Sequence, residues 1–283
     1  MKKIKNIFLR VWNNLFYKNF SDKHFKREKV AKKFNEEFLK NIEKIDIFLK
    51  IGQIRLEKST LKIVREKSKI MISHHWDSIG KVVTEDILKI EKKYFDKISS
   101  YDKKDCQKYK LKYLPNFYLN TSYNHNQRSI TSIYTIMSDE TKLMTLEKIA
   151  RKLQEFKIKY DITLVTYKEL KSDLIKIQSN FITVDEMQNK IQENSVLLEL
   201  KRSDNNGCTF RSIDCIGMKK KLITNNKDIV NEDFYSPNNI LIIDENNIEI
   251  PKEFIYSPYE DLPKEIYEKY SLENWVKQLL DLK

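Results

Sequence analysis

Glycine is scarce in this chain, with four among 283 residues, and that limits what the backbone can do. Only a residue without Cβ adopts positive φ at little cost or lets main-chain amides press against a phosphate. Neither a GxxxxGK[ST] loop nor a GxGxxG turn is present, which argues against a P-loop ATPase or a dinucleotide-binding enzyme. Bulk for a core is plentiful: 14 Phe, 15 Tyr and 40% apolar residues in all. With 33% charged residues the chain is wet for a globular protein, yet far from a disordered composition.

The three cysteines, Cys106, Cys208 and Cys215, are odd in number and lack close pairing. No secretory apolar region is visible, and no apolar run reaches the ~20 residues that span a bilayer. A cytoplasmic protein in a reducing compartment is the expectation.

Charge is unevenly placed. Residues 1–112 carry 30 Lys/Arg against 15 Asp/Glu, residues 113–227 carry 18 against 13, and residues 228–283 carry 5 against 13. An A/T-rich genome would raise lysine everywhere, so it does not explain this gradient. A basic N-terminal half suits DNA or RNA, through phosphate neutralisation and counterion release. The acidic end would shield that surface or pack against it.

The periodicity predicts an α+β chain in three parts: a basic helical region over 1–100, a mixed α/β layer over 101–202, and a β-hairpin-rich acidic region over 203–283. Ile4, Ile7, Phe8, Val11, Trp12, Leu15 and Phe16 recur at helical steps over 1–20 and give a basic amphipathic helix, able to dock on the core or on an acidic membrane surface. Ser21-Asp22 would cap a second helix with Phe34, Phe38, Ile42, Ile45 and Leu49 as its stripe. Strands are expected over 109–119, 129–137, 161–166 and 181–184, and helices over 145–157 and 168–178. Hairpins are expected at 195–202 with 209–216, and at 240–244 with 248–250. A closing helix covers 272–282.

The sharpest local pattern is Val196-Leu197-Leu198-Glu199-Leu200-Lys201, in which side-chain alternation puts Glu199 and Lys201 on one strand face. It resembles the PD-(D/E)xK nuclease superfamily. The resemblance implies that Glu199 and Asp185 hold Mg²⁺ while Lys201 activates the attacking water, making Asp185, Glu199 and Lys201 the catalytic candidates. The bland alternative is an exposed cross-strand charge pair. Tyr113-Leu114-Pro115-Asn116-Phe117 is similar to the Y-x-P-D-F strand of transposon-type endonucleases, with Asn116 where the metal-binding Asp would stand. The run 160–170 followed by Val184-Asp185-Glu186-Met187-Gln188 looks like two motifs of Swi/Snf-type helicases, although no phosphate-cradling glycine loop precedes it.

Tyr109-Lys110-Leu111-Lys112-Tyr113 interleaves rings and charges, as single-stranded nucleic acid would require, or forms a half-buried edge strand. His74-His75-Trp76-Asp77 offers metal ligands or a base, against a helix entry with Trp76 packed inward. His125 and Arg128 sit in a polar loop. The functional expectation is a nucleic-acid-binding or nucleic-acid-processing protein, a Mg²⁺-dependent nuclease or its inactive relative, in a mobile-element or phage-defence setting. Its competitor is a non-catalytic adaptor that binds a protein partner or a membrane surface.

Overall fold

The computed structural model describes residues 39, 41–52, 56–79, 85–119, 130–202 and 207–282. The expected amphipathic helix over 1–20, the Ser21-Asp22 cap and the loop bearing His125 and Arg128 lie outside the described residues.

The described part of the first hundred residues is not a helical bundle but a parallel sheet with helices. Strands β1 (Ile45–Ile51), β2 (Ser68–His75), β3 (Lys97–Ser100) and β4 (Lys112–Tyr113) lie side by side in chain order, every pair parallel. Parallel neighbours need a long crossover, and helices α1 (Lys58–Lys67), α2 (Glu85–Tyr94) and α3 (Lys103–Tyr109) supply it. The stripe through Ile45 and Leu49 read as helical because apolar residues four apart fit a period of 3.6 as well as one of 2; β1 is the edge strand of its sheet.

A second, wider sheet holds β5 (Ile130–Met137), β6 (Lys159–Val165), β7 (Lys176–Gln178), β8 (Asn194–Glu199), β9 (Lys221–Thr224) and β10 (Ile240–Ile242). Its order is β10-β9-β8-β5-β6-β7, again parallel throughout. This is doubly wound: from β5 the chain builds outward to β7, then returns past β5 to build the other half from β8. Helix α4 (Leu143–Glu155) covers one face with Leu146, Ile149 and Leu153 against Ile133, Val196 and Leu198. Helices α5 (Val184–Glu193) and α6 (Phe210–Gly217) cover the other, with Ile191, Ile213 and Ile216 against Tyr134, Leu197 and Leu222. Along β8 the alternation of Val196 and Leu198 with Leu197 is the period-2 pattern of a strand buried on both sides.

Both expected hairpins are absent from this layout. Residues 209–216 are mostly helix α6, whose N-cap Thr209 accepts the Arg211 amide at 3.1 Å. Residues 248–250 form no strand beside β10. The run 181–184 is no strand either: Thr183 caps α5 in a reciprocal box with Glu186. The first sheet pairs across residue 100 through β3 and β4, and the second across residue 202 through β8 and β9.

Past β10, α7 (Lys252–Tyr256) and α8 (Lys264–Lys269) lead to α9 (Leu272–Leu280), which returns to the first sheet. There Trp275 and Leu279 pack on Ile72, Leu114 and Phe117, and the Trp275 indole N–H donates to the Pro115 carbonyl at 2.8 Å. Asp281 accepts from Lys97 at 2.5 Å and from Lys112, so the acidic end of the chain sits on the basic half. Among the described residues no helix is long and apolar enough to cross a membrane.

Candidate functional site

In a doubly wound sheet, ligands bind outside the carboxyl ends of the strands where the winding reverses, because the two crossovers leave to opposite faces and open a crevice. Here that point lies between β5 and β8. The chain leaves β5 towards α4 and leaves β8 towards α6, so the sheet edge between them carries Glu199, Lys201 and Arg202.

Glu199 is buried and fully engaged. Its carboxylate accepts hydrogen bonds from the hydroxyls of Thr209, Ser212 (2.9 Å) and Thr224 (2.9 Å). It thereby ties the end of β8 to the first turn of α6 and the end of β9. Lys201 follows two residues on. Its Nζ donates to the Asn226 side chain at 2.9 Å and lies 3.8 Å from Asp228, while its amide donates to the Asn225 side chain at 2.6 Å. Asn225 in turn donates to Glu245 at 2.6 Å, and Lys142, just before α4, closes the chain with an ion pair to Glu245 at 2.7 Å. These bonds hold the Glu245 carboxyl below its usual range despite partial desolvation. Asp185 is elsewhere: it is exposed in the first turn of α5, where its charge complements the helix N-terminus. Glu199 and Lys201 thus share one sheet edge, but their side chains bond to different partners. Among the described residues no group of three or more His, Cys, Asp or Glu gathers as a metal site.

The opposite wall comes from the first sheet. The aromatic ring of Tyr101, after β3, lies where a Cβ on Gly207 would sit, so Gly207 permits this contact. Trp76, after β2, meets Phe210 of α6 edge-on at 5.8 Å, and Asn116 donates to the Cys208 carbonyl at 3.1 Å. Beside Trp76, surrounding protein raises the Asp77 carboxyl and the Arg202 charge draws it back down; both side chains are exposed, so solvent weakens both effects.

Beneath this wall, His74 and His75 are buried strand residues rather than a helix entry. Burial first, then the neighbouring His75 and Lys50, push His74 down to about 3, so it stays neutral. Glu91 receives His75 at 2.8 Å and Lys50 at 2.7 Å in a buried network. Lys50 also donates to the carbonyl of Gly52 at 2.9 Å, and Gly52, at φ 79°, lies under the Trp76 indole, 2.6 Å from where a Cβ would be. The buried charges therefore help fix a crevice aromatic.

No protein-family model and no curated protein matches this sequence. The fold does have solved counterparts. An alpha-glucosyltransferase in complex with UDP and a 13-mer DNA containing a central A:G mismatch is similar over 87% of this chain and 79% of its own, with TM-score 0.52 and 11% identity. An alpha-glucosyltransferase in complex with UDP and a 13-mer DNA containing an HMU base is similar over 88% and 78%, with TM-score 0.50 and 10% identity. The shared feature is the fold. It overturns the nuclease expectation: the strand that ends on Glu199, with Lys201 two residues beyond it, is in the middle of a doubly wound parallel sheet, not of a nuclease core. With it falls the magnesium-nuclease and phage-defence setting.

Three of the four residues expected to contact nucleic acid have other partners, and the fourth, Lys110, caps a helix with its backbone. The Lys112 ammonium donates to the Gln278 carbonyl at 2.6 Å and to Asp281, Tyr109 donates to Glu85 at 2.9 Å, Tyr113 is half-buried with Lys103 5.3 Å over its ring, and Lys110 is the left-handed cap of α3. Burial lifts Cys208 and Cys215 well above the usual thiol range. Sequence reasoning missed Trp76, Asp77, Arg202, Gly207 and Phe210 as a set. The signals present were His74-His75-Trp76-Asp77, read for its histidines, and Gly207, one of four glycines, which falls between the two strands of an expected hairpin. A cavity of about 380 Å³ opens elsewhere, between Tyr118, Gly217, Tyr267 and the start of α9.

Proposed function

We propose that this protein is a glycosyltransferase, binding a nucleoside-diphosphate sugar at the reversal point between β5 and β8 and passing the sugar to an acceptor held by the first sheet. The observation that carries the reading is the β5/β8 reversal edge: Lys201 and Arg202 follow β8 there, with the Arg202 charge acting on Asp77 of the first sheet and Trp76 against Phe210. The two solved counterparts with the same overall fold hold UDP, which makes a uridine diphosphate sugar the first donor to try.

The chemistry asks little of the protein beyond placement and charge. The bond from the anomeric carbon to the diphosphate oxygen breaks and the diphosphate leaves with the electron pair. An acceptor hydroxyl oxygen bonds to that carbon, and its proton passes to the departing phosphate. Leaving-group charge is stabilised by fixed donors in a sheltered site. Lys201 and Arg202 supply cationic donors at the end of β8. Glu199 positions that turn without touching the substrate. Glycine-poor phosphate recognition is consistent with this arrangement, since long basic side chains reach where a close backbone cannot.

Calorimetric titration of UDP, ADP and GDP into the full chain tests the reading. UDP should bind with at least tenfold preference, and Arg202→Ala should weaken it about tenfold without lowering Tm. If none of the three binds, the assignment fails.

A further inference from the structure

We propose that Trp76 and Asp77 form the acceptor subsite and that the acceptor is a neutral carbohydrate rather than a nucleic acid; this rests on the glycosyl-transfer reading above. The donor's diphosphate is drawn to the basic edge of the second sheet, so the acceptor is left with the first-sheet wall. That wall presents a half-buried indole and an exposed carboxylate on consecutive residues.

A pyranose ring has just those two needs. Its C–H faces pack on an aromatic plane, and its hydroxyls donate to a carboxylate, a charge-assisted bond about twice as strong as a neutral one. The indole is held for the purpose from two directions: Gly52 leaves room under it, and Phe210 meets it edge-on at 5.8 Å. A loose aromatic would lose conformational entropy on stacking, and a fixed one does not.

The charges on the wall argue against a polyanion. Asp102 is buried and receives the Ser78 hydroxyl at 2.6 Å, and Asp105 receives the Ile79 amide at 2.6 Å. Asp77 is the exposed carboxylate of the three; Asp102 and Asp105 lie buried behind it at the N-terminus of α3. Lys103, at the start of α3, is spent on Glu232 at 2.7 Å. A phosphate entering at Asp77 would meet like charge, whereas a neutral hydroxyl would meet an acceptor there, and the exposed cation beside it, Arg202, is taken by the donor's diphosphate.

The test titrates the full chain, with and without UDP, with maltose, cellobiose, N,N′-diacetylchitobiose and methyl glucoside, followed by saturation-transfer NMR and tryptophan fluorescence. At least one saccharide should bind, and Trp76→Ala and Asp77→Asn should each weaken it about tenfold, while UDP binding persists in both. A 13-base-pair DNA duplex should not compete. Asp77→Asn changes an exposed side chain, so it keeps the test alive should Trp76→Ala misfold. Absence of saccharide binding, unchanged affinity in Asp77→Asn, or competition by the duplex would overturn the subsite. Saccharide binding without UDP binding would sink the donor reading instead, so the two failures are distinct.

Discussion

The residues that matter most at this site act through what they hold. Gly52 is the clearest case: at φ 79° with an indole against it, any Cβ meets both backbone strain and a ring that cannot retreat. Gly52→Ala should cost about 2 kcal/mol in denaturant unfolding and blue-shift or broaden Trp76 emission; a neutral result would mean the ring moves freely. Glu91 is the hinge of the buried charges, since Glu91→Gln strands Lys50 inside. That substitution should destabilise by about 3–5 kcal/mol, read from urea midpoints. The Lys50 ammonium is itself lowered by desolvation, opposed by Glu91. Asp214 supplies a pH signature. Burial lifts its carboxyl from 3.8 to about 6, with Arg211 pulling the other way. Because the folded state holds the proton more tightly, its contribution is favourable at pH 3–4 and is lost as pH rises through 6. Asp214→Asn should therefore raise Tm at pH 7.5 more than at pH 4; an equal gain at both would refute the shift.

At the scale of elements, caps and strand ends decide the site. Thr183 and Glu186 satisfy the opening amides of α5 reciprocally, with Thr183 N–H to Glu186 at 2.7 Å and Glu186 N–H to Thr183 at 3.2 Å. Thr183→Ala should cost about 1 kcal/mol. The same box explains why Asp185 and Glu186 resembled a helicase pair: acidic residues gather in a first turn for electrostatic reasons. Much of this level was legible. The helix over 145–157 and the strand over 161–166 appear as α4 and β6, because amphipathic and doubly buried patterns were long enough to distinguish. Helix α6 was not, since a run this short, eight residues from Phe210, fits a strand period as well as a helical one. The carboxyl end of β8 stood out through Glu199 and Lys201. Their alternation placed both side chains on one strand, but no local pattern shows that Thr209, Ser212 and Thr224 converge on Glu199 from two other elements.

Across the whole molecule, part of the charge gradient is met by internal pairing among the described residues. Asp281 bridges Lys97 and Lys112, which holds that carboxyl at about 2, chiefly through its hydrogen bonds to Lys112 and Lys97. The acidic end is thus a partner for the basic half, as one reading of the gradient allowed. Helix α9 also buries Trp275 and Leu279 over the first sheet. Ending the chain at residue 270 should expose that face, lower Tm by many degrees and cause aggregation, while Asp281→Ala alone should have a small, salt-dependent effect. The central claim is that the reversal point between β5 and β8 is where a nucleotide binds. Amide hydrogen exchange with and without UDP tests it most directly. Protection should rise in 138–142 and 207–212 and leave α9 unchanged. Protection confined to the cavity beside α9, or none at all, would contradict the account.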